Sequence, residues 1–333
     1  MRTERTSIPI DFAPEALCWR GDELVDWVSG GRSYALDGRV TESHVAYSYR
    51  FDSAVMSQDG RYAVLYEKLG TKGLLLREGK VLRELNRSFY HADAYEYPVA
   101  LVTLPSGRTL LAHCPDEYCC LELEDAETGE LLTRRDSNSP DIFHSRLQFS
   151  RDGRYLLSAG WLWHPVDVAH VYDVALALEQ PQSLDEPKNI ELGESFIEVH
   201  AAAFGERDTL VLECSGLDGE GTPFADERLQ DSVCLAVYSP AERRFLSIAP
   251  VEQFPGTLLV VGGYAVGFNE HPKLFELATG RVVEQWPELN TGRQGSSIIR
   301  HLPPLPPLAL DPAGRRFAVA TDKSIEVVRF ISE

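Results

Sequence analysis

Residues 149–155 read FSRDGRY, and residues 56–62 read MSQDGRY. Each is followed by a second apolar run, LLSAG in one case and AVLYE in the other. An apolar strand, an Asp-Gly turn and another apolar strand make a β-hairpin, because glycine accepts the positive φ that a tight turn demands. On this reading both copies are expected to close as two-residue hairpins. The same pattern returns in altered form at 101–114 (LVTLPSGRTLLAHC), 308–321 (LALDPAGRRFAVAT) and 201–213 (AAAFGERDTLVLE), where Glu-Arg-Asp replaces the glycine turn. Weaker copies are 257–268 (TLLVVGGYAVGF) and 15–27 (EALCWRGDELVDW).

Seven turns result, centred near Gly21, Gly60, Gly107, Gly153, Arg207, Gly262 and Gly314. A second turn follows the first in most units, at Asp37-Gly38, Glu78-Gly79, Thr128-Gly129 and Thr279-Gly280. Every unit therefore holds about four short strands. Repetition at roughly 40–55 residues with four strands per unit is the signature of propeller blades. The predicted blades span about 12–45, 46–86, 95–135, 144–194, 197–250, 256–287 and 305–330. The last supplies only three strands, so residues 3–10 (ERTSIPI follows Thr3) are expected to complete it and close the ring, since unpaired edges invite aggregation. The one candidate helix is the short stretch 174–179.

These units resemble WD40-type repeats of a seven-bladed β-propeller, particularly bacterial ones with an F-S-x-D-G-R-Y core. The resemblance runs over essentially the whole chain and is most specific at 56–62 and 149–155. The Trp-Asp pair is absent, and Tyr172-Asp173 is its nearest substitute. The resemblance implies an all-β disc with its ring locked by the amino-terminal strand.

The 333-residue chain carries 51 acids against 32 Lys and Arg, a net charge of −19. Such a surface repels phosphate backbones and anionic membranes and attracts a basic protein. The amino-terminal stretch MRTERTSIPIDFAPE has no apolar core of a secretory signal. Six cysteines (Cys18, Cys114, Cys119, Cys120, Cys214, Cys234) show no disulfide spacing. A cytoplasmic protein with reduced thiols is the expectation.

In a propeller, the turns between first and second strands lie on one face, and the long connections gather on the other. The irregular segments 113–118 (HCPDEY), 135–144, 160–168 (GWLWHPVDV), 180–198, 215–231, 269–272 and 287–307 fall on that second face. A rigid scaffold aims its loops, so this face is the expected binding surface. Trp161, Trp163 and His164 are its aromatic candidates, because tryptophan is a frequent interface anchor. From the segment 113–118, Asp116 and Glu117, with Tyr118, are expected to join the acid-rich loop 218–231 across the disc. The acid-rich loop with Asp218, Glu220, Asp226, Glu227 and Arg228 is the electrostatic candidate for a basic partner.

No catalytic motif is present: neither G-x-S-x-G, nor a P-loop, nor a dinucleotide fingerprint in strand–helix context. His113-Cys114 and Cys119-Cys120 lack the C-x-x-C pairs of a zinc site. The reading is thus a non-enzymatic protein-binding propeller with no cofactor or metal. One concrete version is a bacterial immunity protein that occludes a basic toxin domain. The alternative is a propeller enzyme or small-ligand binder whose central channel uses His91, His144, His200 and His301.

Overall fold

The structure is a computed structural model that describes residues 1–136, 138–163, 166–190, 197–215 and 232–331. Its strands form seven antiparallel sheets, at 18–41, 53–86, 99–125, 142–189, 198–250, 258–285, and 308–331 with 2–9. They make a seven-bladed β-propeller. The α-helix Val174–Glu179 is the only one among the described residues, capped by the Asp173 carboxylate accepting from the Leu176 N–H. No helix among them is long and apolar enough to cross a membrane.

The repeated turn owes its sequence to a closed set of local hydrogen bonds. Ser57 N–H donates to Tyr62 O at 2.9 Å, and Gly60 N–H donates to Ser57 O at 2.9 Å. The Ser57 hydroxyl donates to Asp59 Oδ1 at 2.6 Å and accepts from Tyr62 N–H at 3.0 Å. Asp59 Oδ1 also accepts from Arg61 N–H at 3.1 Å. Ser150, Asp152, Arg154 and Tyr155 repeat these bonds at 2.8, 2.9 and 3.0 Å. Both serines are buried, so each hydroxyl needs these partners. The loops are therefore four residues long, not two as the sequence suggests. The reason is that each tight turn ends in a left-handed glycine, at φ 74° for both Gly60 and Gly153, before the strands rejoin. A two-residue turn does occur at Glu78-Gly79, where both residues have positive φ. In the seventh unit the left-handed residue is Arg315 (φ 52°) and not Gly314. Gly314 serves by its size, since a Cβ there would meet Asp311 Oδ2 at 2.3 Å.

Seven hydrophobic clusters each join two successive blades. One packs Leu24 against Ala318 and Ile325 between the first and seventh blades; another packs Leu157 against Leu212 between the fourth and fifth. The remaining five join the other neighbours in the same way. Each sheet is thus buried on both faces, which is why its strands read as apolar runs and not as alternation.

Two blades depart from four strands. The third has three. Beyond Glu122–Asp125 only an isolated Glu124–Leu131 bridge continues the sheet. There Asp125 N–H donates to Glu130 O at 2.9 Å and Leu132 N–H to Leu123 O at 2.8 Å, and the Thr133 hydroxyl ends the pairing by accepting from the Leu123 N–H at 2.8 Å and donating to the Glu122 carboxylate. In the fourth blade the inner strand is split into Ile142–Phe143 and Gln148–Phe149, both paired to Tyr155–Leu162. Arg146 turns the break at φ 45°.

The segment 160–168, expected to be a loop, lies mostly in two strands, Tyr155–Leu162 and Val166–Asp173. Gly160 is there because Phe143 approaches so closely that a Cβ would meet its carbonyl oxygen at 1.9 Å. In the segment 180–198, the 3-10 turn Pro181–Asp185 follows directly on the helix and precedes the outer strand Lys188–Asn189. That connection lies on the face of the tight turns, since it follows the third strand of its blade.

Arg2–Pro9 pairs along its whole length with Ser324–Ile331 and forms the outer strand of the seventh blade. Ile8 is fully buried among Leu17, Leu24, Tyr34 and Val327, so the latch is packed as well as hydrogen-bonded. Ile8→Ala is expected to cost about 3 kcal/mol, read as a lowered urea midpoint, with soluble oligomers in light scattering as the edge of Ser324–Ile331 opens. An unchanged midpoint would show that the latch does not hold the ring.

Candidate functional site

The insertion face carries an aromatic stack built around Phe143. Phe143 pairs with Trp161 across the split strand, and their rings lie parallel with centroids 3.9 Å apart. Tyr118 stacks on Phe143 at 4.4 Å and Tyr90 stacks on it at 6.0 Å. Trp163 lies 5.7 Å from Trp161, on the same side of the strand, and 5.3 Å from His91. Tyr95 meets Phe143 edge-on at 5.5 Å. Offset and edge-on pairs like these contribute about 0.5–1.5 kcal/mol each beyond burial. The stack grades from a buried base to an open top. Phe143, Tyr95 and Trp161 are buried, whereas Trp163 is 47% exposed, Tyr90 44% and Phe89 86%.

The loop carrying Phe89, Tyr90 and His91 is pinned from beneath by Arg87. Its guanidinium donates to the carbonyls of Lys68, Gly70, Ala92 and Tyr95. It also lies 4.7 Å over the Tyr95 ring and 5.0 Å over Tyr97. Exposed carboxylates edge the patch: Asp93, Asp116, Glu117 and Asp141. The Tyr118 hydroxyl donates to Asp141 at 2.6 Å. Burial and that carboxylate push the Tyr118 pKa up, so it remains a donor.

Of the residues singled out from sequence, Trp161, Trp163 and Tyr118 meet in this stack, with Asp116 and Glu117 adjoining Tyr118 in the chain. Trp161 is a packing residue and Trp163 presents a free ring face. His164 and the acidic loop with Asp218, Glu220, Asp226, Glu227 and Arg228 lie outside the described residues. Phe89, Tyr90 and Phe143 had not been singled out, although SFYH at 88–91 places three rings side by side in a turn-rich segment.

The four histidines expected at the channel do not converge. His91 belongs to the aromatic stack, and His301 is exposed. His144 is buried, with Nδ1 2.9 Å from the Ser158 hydroxyl. Of the four, His200 faces a carboxylate, its Nδ1 3.6 Å from Asp167 Oδ2. Arg146 reaches the same region and donates to Ala159 O at 2.8 Å, His200 O at 2.7 Å and Gly295 O at 3.1 Å. The last of these is in the long 287–307 connection, which crosses the mouth of the ring. It pairs with the sixth blade at Glu270–Gly292 and, on the far side, bridges Tyr95 through Ile298. Next to Ile298, Ser297 donates its backbone N–H to Asp167 Oδ1 at 2.9 Å, and its hydroxyl binds the same oxygen.

No protein-family model and no curated protein matches the sequence. Solved structures do share its shape. A catalytically inactive virginiamycin B lyase from Staphylococcus aureus, with quinupristin, aligns at TM-score 0.60 and 10% identity over 99% of this chain and 100% of that one. Hydrazine synthase from Kuenenia stuttgartiensis aligns at 0.57 and 14%, over 98% of each chain. The computationally designed Ika8 protein aligns at 0.51 and 13%, over 98% of this chain and 99% of that one. At these identities the likeness is one of fold, that of the seven-bladed β-propeller.

Burial lowers the His144 pKa to about 3, with His170 and Arg135 adding to the effect. The unfolded chain takes up a proton near pH 6.5 and the folded one does not until about 3. Stability from this group is therefore full above pH 6.5 and is lost as pH falls toward 3, at about 1.4 kcal/mol per pH unit. Urea midpoints measured from pH 7 to 4 are expected to fall less steeply in His144→Gln than in the parent, by the equivalent of one proton.

Proposed function

We propose that this propeller is a non-catalytic recognition protein that binds a basic protein through the insertion face. The observation that carries this reading is the graded aromatic stack: Trp163 and Tyr90 stand open on a buried base of Phe143, Trp161 and Tyr95, with Phe89 exposed beside Tyr90 in the chain. Rigid rings held by packing lose little entropy on binding, and they are the side chains that dominate interface energies. Asp93, Asp116, Glu117 and Asp141 around them, with the net charge of −19, favour a basic partner and raise its association rate. Within this reading, an immunity protein that occludes a basic toxin domain is the finer version. The Ser-x-Asp-Gly-Arg-Tyr turn supports placing the chain with the WD40-like propellers.

The alternative, a propeller that acts on or holds a small ligand in its channel, is favoured by the charged group at Asp167 and His200. It predicts ligand binding that is indifferent to the outer rings. The test is retention of partners on immobilised protein at low salt, comparing the parent with Tyr90→Ala and Trp163→Ala. The reading expects a basic protein held by the parent, weakened about 30-fold by each variant and released as salt rises. Retention unchanged in both variants would overturn it.

A further inference from the structure

We propose that Asp167, Glu198 and His200 form a binding site for a single divalent metal ion at the seam between the fourth and fifth blades. The three side chains come from two elements, Val166–Asp173 and Glu198–Phe204, and each offers one ligand atom within 4.8 Å of the others. No sequence spacing announces the set, because the ring alone brings residue 167 against residue 200.

Asp167 and His200 form an ion pair whose spacing also suits a shared ion. Asp167 Oδ2 and His200 Nδ1 face each other at 3.6 Å, which is too long for a hydrogen bond. Two ligands bound tetrahedrally at ~2.1 Å stand about 3.4 Å apart, so the pair is spaced to share an ion. Their remaining atoms are already held. Asp167 Oδ1 is fixed by the Ser297 N–H and hydroxyl, and His200 Nε2 lies 3.0 Å from the Ser215 hydroxyl. Outer contacts of this kind orient metal ligands. Glu198 Oε1 accepts the Asp167 N–H at 3.2 Å, which keeps its carboxylate beside the other two.

A second observation calls for a cation and its water. Glu213 is completely buried, and its Oε1 has no hydrogen-bond partner, while its Oε2 accepts the Gly256 N–H at 2.7 Å. Its charge acts on both His200 and Asp167. Among the described residues, Asp167, Glu198 and Glu213 all act on His200, and the Arg146 guanidinium acts on Asp167 and Glu213, the latter with its pKa raised by burial. An ion with three protein ligands keeps a position open to water. One imidazole and two carboxylates suit zinc or manganese better than calcium.

The test is calorimetric titration of the chelator-stripped full-length chain with zinc chloride and with manganese chloride. One equivalent of at least one of these ions per chain is expected. Glu198→Gln and His200→Ala are expected to weaken binding at least 100-fold. Ser297→Ala, which only positions Asp167, should weaken it about 10-fold. Cys119→Ser should leave it unchanged, which separates the site from the half-exposed thiols. Glu198 is partly exposed, so Glu198→Gln decides the matter if the His200 variant fails to fold. No stoichiometric binding of either ion, or binding that survives Glu198→Gln, would overturn the proposal.

Discussion

Every sheet in this molecule must be covered on both faces by its neighbours, and that demand governs the rest of the architecture. There is no single interior. Apolar side chains collect in the wedges between blades, as Leu157 does with Leu212, and Leu24 with Ala318 and Ile325. A row of such sheets always leaves two faces bare unless it closes on itself. Closure in turn needs an outer strand for the last blade, and Arg2–Pro9 supplies it. With the ring closed, the faces of the disc are left to turns and connections, and these are free to vary without disturbing the wedges.

The two faces are used differently. On one, short hairpins recur whose serine, aspartate and glycine satisfy one another within six residues. On the other, connections from separate blades meet. Arg87 stiffens one of them from below, and Gly160 lets Phe143 close on another. The result is an ordered group of rings standing in a surface otherwise rich in carboxylates. Behind it, Arg146 links the inner strands of the fourth and fifth blades to the crossing connection through three carbonyls.

What could be read from the sequence was what local bonds encode. The Ser-x-Asp-Gly-Arg-Tyr turn is complete within its own residues, so it marks the strands on either side wherever it occurs. Strand counting was enough to foresee the role of the amino-terminal segment. The shortened third blade was not legible, because Thr133 ends the outer pairing with a side-chain bond where the apolar pattern would suggest a longer strand. Nor was the split at Arg146, whose left-handed backbone makes sense only with the carbonyls of His200 and Gly295 in place. Trp163 was visible as a loop aromatic. Its neighbours Tyr90 and Phe143 were not, since residues some fifty positions apart become stacked only once the ring has formed.

The crossing connection also has a mechanical meaning. A closed ring of wedges can flatten into an oval, shortening one diameter while lengthening the other. A tie fixed at Gly292 on the sixth blade and at Ile298 beside the third acts as a chord across such a hoop. Such a tie resists lengthening along its own direction more than across it.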